Sequence, residues 1–164
     1  MYLYFSGLSQ VSLSECVMTE EQWDQLASTL ATGDALTLQH LNLATVFVLE
    51  QDGQSGLWDT AKSHKLAEAL SRLSELSVRI VLKRDRFEGY LDSRPGLFLE
   101  LFKKIDQNPS PLTALDLDSQ VLKDIPSDLF SSSLAKIEKI NLTEANVTTD
   151  QVASLVSLNW FNAS

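Results

Sequence analysis

Asp116, Asp118 and Gln120 are the first residues whose spacing suggests a ligand set, because alternate oxygen-bearing side chains can converge on calcium. A calcium-binding helix–loop–helix also needs a turn glycine and a distal glutamate. Neither follows here, so no such site is expected. With only His40, His64 and Cys16 as soft or borderline donors, a structural zinc site is not expected either. The chain lacks G-x-S-x-G, H-E-x-x-H, a phosphate-binding glycine loop and a dinucleotide fingerprint. Cys16 and His40 could be imagined as a nucleophile and a base. The expectation is a protein that is not an enzyme and takes no metal or cofactor.

Chemistry of another kind lies in Arg79, Lys83, Arg84 and Arg86, the one basic concentration in a chain of formal net charge −9. Arginine makes bidentate contacts to carboxylates, so this cluster suits an acidic segment of a protein partner. The competing reading is a solvated strand and loop, partly neutralised by Asp116 and Asp118, and exposed ion pairs of that kind decide nothing about stability. The overall acidity argues against nucleic acid and against an anionic membrane surface as partners.

The elements that would position these groups must fit one domain over residues 1–164. Hydrophobic residues make up 44% and charged residues 21%, a profile that can bury a core. The start, MYLYFSGLSQ, has no basic region followed by a long apolar stretch, and no apolar run approaches the roughly 20 residues of a membrane span. A lone cysteine excludes an internal disulfide framework. These features point to a soluble, reduced, cytoplasmic domain. The sequons at Asn141, Asn146 and Asn162 are short enough to arise by chance.

The chain repeats itself. In the frame L-x-x-L-x-L-x-x-[NC]-x-L, copy one is Leu8, Val11, Leu13, Cys16 and Met18, and copy two is Leu38, Leu41, Leu43, Val46 and Val48. Copy four is Leu112, Leu115, Leu117, Gln120 and Leu122; copy five is Ile137, Ile140, Leu142, Ala145 and Val147. Copy three reads in two ways. The frame Ser77, Ile80, Leu82, Asp85, Phe87 keeps the strand alternation and puts a polar residue at the ninth position. The frame Leu73, Leu76, Val78 takes the end of the preceding helix. The first is preferred.

Helices follow the frames. Thr19-Glu20-Glu21-Gln22 and Thr148-Thr149-Asp150-Gln151 are capping boxes at one offset in two copies, followed by Trp23, Leu26 and Leu30, and by Val152 and Leu155. Residues 60–75 carry Leu66, Leu70 and Leu73 on one face. Residues 95–106 open on Pro95 and bury Phe98, Leu101, Phe102 and Ile105. The segment from Lys123 to Ser133 is short and holds Pro126, which predicts one irregular or 3₁₀ turn. Strand and helix in alternation imply parallel strands joined by right-handed crossovers, with frame residues facing the helices.

The frame, its cysteine at the ninth position and the Thr-capped helix resemble the ribonuclease-inhibitor-like leucine-rich-repeat family, most clearly over Leu8–Leu30 and Ile137–Leu158. The resemblance implies an α/β solenoid of about five irregular repeats, with a parallel sheet on the concave side and helices outside. It also implies a non-catalytic protein-interaction scaffold. Such repeats form the sensor region of nucleotide-binding innate immune receptors, which supplies the alternative of a sensor or autoinhibitory segment. In this family the ninth residue points inward, which removes Cys16 as a nucleophile. Copies of unequal length and a first strand close to Met1 fit a fragment of a longer solenoid. The acidic loop from Glu50 to Gly56 breaks copy two before its helix.

In this frame, residues between the anchors face outward from the sheet. The candidate partner-binding set is His40, Asn42, Phe47, Arg79, Lys83, Arg84, Arg86, Asp116, Asp118, Lys139 and Asn141. Equivalent positions on neighbouring strands lie about 4.8 Å apart, so the preferred frame sets Lys83 beside Asp118 and Arg84 beside Ser119. Tyr2, Tyr4 and Phe5 could cover one end, and Trp160 and Phe161 the other. Ends left uncovered would permit end-to-end self-association.

Overall fold

The aliphatic anchors organise a computed structural model that describes residues 7–31, 37–49, 60–84, 87–89, 96–107, 109–118 and 120–157. The terminal aromatics, Pro95 and the acidic loop lie outside the described residues. The elements run β1 (Gln10–Ser12), β2 (Val17–Thr19), α1 (Glu20–Ala31), β3 (His40–Leu49), α2 (Thr60–Leu70), β4 (Glu75–Arg84), β5 (Phe87–Gly89), α3 (Leu97–Gln107), β6 (Ala114–Asp116), α4 (Ser127–Leu134), β7 (Lys139–Asn141) and α5 (Thr149–Ser157). The chain is thus α/β. Five strands pair in the order β1-β3-β4-β6-β7, all parallel, in a sheet that does not close; β2 pairs with the far half of β3, and β5 runs antiparallel to the end of β4.

Strand order follows chain order, and each helix packs on its sequence neighbours, α1 on α2, α2 on α3, α3 on α4 and α4 on α5. Alternation along the strands sorts side chains by face. Leu41, Leu43, Leu76, Val78, Leu115 and Leu117 are buried in one core with Leu26, Leu66, Phe102 and Leu134 of the helices. Among the described residues no helix is long and apolar enough to cross a membrane.

Both capping boxes form. The Thr19 N–H donates to Gln22 Oε1 at 3.0 Å and the Gln22 N–H to Thr19 Oγ1 at 3.2 Å; for Thr148 and Gln151 the distances are 2.8 and 3.1 Å. Each box pairs two backbone N–H groups at a helix start that the helix itself leaves unpaired. Glu15 and Glu144, each in the eighth frame position, share a left-handed backbone with φ of 61° and 55°. The chain leaves the first and fifth strands by the same turn.

Copy three corrects the preferred reading. Val11, Leu41, Leu76, Leu115 and Ile140 stand at one level of the sheet, so its anchors are Leu73, Leu76 and Val78. The register then slips. Leu43 pairs with Val78, but Val46 pairs with Ile80 and Val48 with Leu82, so Ala44 and Thr45 stand opposite Arg79 alone. Copy three is one residue short between its sixth and ninth positions. The backbones of Ile80 and Leu82 stand level with Val46 and Val48, in the later half of the frame. The expected helix over 60–75 accordingly ends at Leu70, and Leu73 is buried beyond it.

Pro126 brings a second correction. The expected irregular turn is an α-helix, Ser127–Leu134, with Pro126 at its N-cap, φ −55° and ψ 141°. Ahead of the first helical residue a proline interrupts no i→i−4 hydrogen bond, so its ring costs the helix nothing.

On the outer layer His64 Nδ1 of α2 lies 3.1 Å from Glu100 Oε2 of α3, and Lys103 Nζ lies 3.3 Å from Glu100 Oε1. The His64 hydrogen bond, helped by Lys103 and opposed by partial burial, holds the Glu100 carboxyl below its ordinary value of 4.5. A depressed carboxylate stabilises the fold above its unfolded pKa and loses that contribution as pH falls through the folded one. Urea midpoints taken downward from pH 5 are therefore expected to fall less steeply for Glu100→Gln than for the unchanged protein; equal slopes would remove the pair from the acid response.

Candidate open-face site

The residues that alternate with the anchors meet on the face away from the helices. One row reads Gln10, His40, Glu75, Ala114 and Lys139 across the five strands, and the next reads Ser12, Asn42, Ser77, Asp116 and Asn141. Together they line a single open depression of about 800 Å³. Short strands in register explain why so many polar groups share one surface: side chains at one level stand a strand spacing apart.

Within the upper row His40 Nδ1 lies 2.9 Å from Glu75 Oε2, a cross-strand pair that fixes the imidazole near the middle of the sheet. The lower row behaves differently. Asn42 Oδ1 accepts from the Ala44 N–H at 2.9 Å, Asp116 Oδ1 from the Asp118 N–H at 3.1 Å, and Asn141 Oδ1 from the Thr143 N–H at 3.0 Å. Each is the same short turn, in which an Asx side chain ties down the backbone two residues on. These three candidates therefore present one side-chain atom to solvent while the other holds the strand end. Asn141 also accepts from the Thr143 hydroxyl at 2.5 Å.

Of the expected binding set, His40, Asn42, Asp116, Lys139 and Asn141 line the depression. Arg79 and Asp118 stand just beyond it, with Arg79 Nη1 3.8 Å from Asp118 Oδ2. That pairing replaces the expected neighbours Lys83 and Asp118. Since Ser77 lies opposite Asp116, the residue level with Asp118 is two further on, which is Arg79. The Lys83 backbone instead pairs with Leu49 on one side and Glu88 on the other. The backbones of Phe47, Lys83 and Arg84 belong to β3 and β4, but their side chains, and the whole of Arg86 and Ser119, lie outside the described residues. A continuous basic strip is therefore not among the described features.

Glu75 and Ser77, which the expected set omits, sit at the centre of the depression. Placing copy three on Leu73, Leu76 and Val78 would have found them, since outward residues follow directly from the anchors.

The depression offers hydrogen-bonding groups of both kinds, one lysine and two carboxylates, over a floor of hydrogen-bonded parallel strands. Among the described residues no group of three or more His, Cys, Asp or Glu is arranged to hold a metal ion. No protein family, curated protein or solved structure compared with the chain matches it.

Proposed function

We propose that the chain is a leucine-rich-repeat solenoid of right-handed β–α units, resembling the ribonuclease-inhibitor type, and a non-catalytic module that binds a protein partner through its open sheet face. The observation that carries this reading is the pair of in-register rows, polar at every position but Ala114, that span all five parallel strands and line one depression. Four of the five frames, the two capping boxes and the recurrent left-handed turn support the repeat architecture. A solenoid of this kind exposes an extended surface whose backbone is already ordered, so a partner binds without the cost of ordering it.

The expected result concerns two exposed or half-exposed positions that anchor nothing in the core. Ser77→Arg with Lys139→Glu should leave far-UV circular dichroism and the urea midpoint unchanged, within about 0.5 kcal/mol. A partner captured by the unchanged protein should be recovered at least about tenfold less, because a bulky charge at the centre of the depression clashes and reverses the local sign. Glu68→Gln with Arg72→Gln, on the outward side of α2, should capture it as before. Equal capture by the face variant would sink the assignment of this surface.

A further inference from the structure

Ala114 is the one position in the two open rows that carries no polar side-chain group, and it is half-exposed. Strand pairing places its neighbours. Glu75 stands at its level on β4 and Lys139 at its level on β7, while Asp116 follows two residues on along β6 and so shares the face. A methyl group among longer side chains leaves a notch in the floor of the depression, bordered by two carboxylates and one ammonium group. Glu75 and Lys139 are exposed and Asp116 is half-exposed, so the border is open to a ligand.

Each carboxylate has one oxygen committed. Glu75 Oε2 lies 2.9 Å from His40 Nδ1, and Asp116 Oδ1 accepts from the Asp118 N–H at 3.1 Å. Among the described residues the second oxygen of each has no partner, and Lys139 makes no ion pair. The notch therefore presents two acceptors on neighbouring strands and, on its far side, a cation.

We infer that this notch takes an arginine of the protein partner, carried on an extended segment with an acidic residue two positions away; the inference rests on the open-face reading proposed above. A guanidinium is planar and holds five N–H donors in a fixed fork. One such group lying over the Ala114 methyl can donate to Glu75 from one edge and to Asp116 from another. An ammonium group is compact and more strongly hydrated, and suits the place less well. A cation arriving alone would be repelled by Lys139. In an extended chain, residues two apart project from one side about 6.8 Å apart, a little more than one strand spacing, so an acidic residue there comes within reach of the flexible Lys139 side chain. The formal charge of −9 adds a general attraction for a basic segment, screened by salt. Contacts this exposed contribute little each, so the notch decides which segment the sheet accepts more than how tightly it is held.

Titration of the nitrogen-15-labelled whole chain with the peptide acetyl-Ala-Arg-Ala-Glu-Ala-amide, followed by NMR, tests this. Amide resonances of β4, β6 and β7 beside the notch should shift and saturate. The same peptide with citrulline for arginine, equal in shape and uncharged, should bind at least about tenfold more weakly, with the lysine peptide between them. Asp116→Asn should weaken the arginine peptide at least about threefold. Its fold should be kept, because Asn42 and Asn141 make the same turn at the equivalent positions. Ala114→Leu fills the notch with every charge in place and should abolish the saturable shifts. Shifts that avoid these strands or never saturate, equal binding of the citrulline peptide, or full binding by Asp116→Asn or Ala114→Leu would each overturn the inference. If partner capture is nevertheless lost in Ser77→Arg with Lys139→Glu, the open face stands as the docking surface and only the arginine is removed; capture retained there removes the face and the inference together.

Discussion

Phe102→Ala is expected to lower the unfolding free energy by about 3–5 kcal/mol in urea titration. Phe102 and Phe130 are both fully buried and lie nearly parallel, with 8° between their rings. Removing one ring loses its transfer free energy and leaves a cavity between α3 and α4 that the backbone cannot close. Ser133 Oγ donates to the Phe102 carbonyl oxygen at 2.8 Å, which holds the two helices at their spacing when the ring is gone. Against a typical total of about 5–15 kcal/mol, such a loss leaves the chain marginal. Phe102→Leu should cost much less, since it fills most of the volume. In a double-mutant cycle with Phe130→Ala the coupling should be about 0.5–1.5 kcal/mol, the part that belongs to the ring pair. A cost below about 1 kcal/mol for Phe102→Ala would mean that the seam is not packed as described.

Two glutamines with the same sequence signature should respond very differently to alanine. Gln22 completes the capping box of α1 and is half-buried. Gln151 completes the box of α5, is 1% exposed, and also donates from Nε2 to the carbonyl oxygens of Leu122 and Ile125, both at 2.7 Å. Gln22→Ala should therefore cost about 1 kcal/mol, the worth of a cap. Gln151→Ala strips a cap and takes a donor from two carbonyls of the preceding unit, of which that of Leu122 keeps the Ile125 N–H at 3.1 Å, for roughly 3 kcal/mol. Gln151→Glu separates the contributions: the carboxylate can still accept from the Thr148 N–H but cannot donate, so it should destabilise nearly as much as alanine at neutral pH. Similar midpoints for Gln22→Ala and Gln151→Ala would show that the link to copy four carries no weight.

That difference marks how far the sequence could be read. The boxes are local patterns, four residues long, and both were legible. The second role of Gln151 joins residues 26 and 29 positions apart and leaves no trace in spacing. Four frames were legible because leucine-type anchors at fixed intervals leave a periodic signal. Copy three failed for a specific reason: with one residue missing opposite Ala44 and Thr45, no single frame accounts for both Leu76 and Leu82. The two frames differ by four residues, which keeps the same face outward but slides the expected site along the strand, so Glu75 and Ser77 fell outside it and Lys83 was drawn in. Asn42, Asp116 and Asn141 were found as outward-facing residues, but their work as strand-end turns depends on backbone geometry that residue type alone does not specify. Pro126 was misjudged because a proline one residue before a helix and one inside it look alike until the boundary is known.

Strand order that follows chain order has a consequence for how the molecule comes apart. Most pairings join a unit only to the unit before or after it, so little ties α1 to α5 directly. Heat or denaturant should erode such a chain from its termini inward, with amide protons of β7 and α5 exchanging well before those of β4 and β6. Circular dichroism and the fluorescence of Trp23, read with Trp58→Phe and Trp160→Phe in place, would then report different midpoints, and any ligand laid across all five strands would draw them together, acting as a clasp along the length of the sheet.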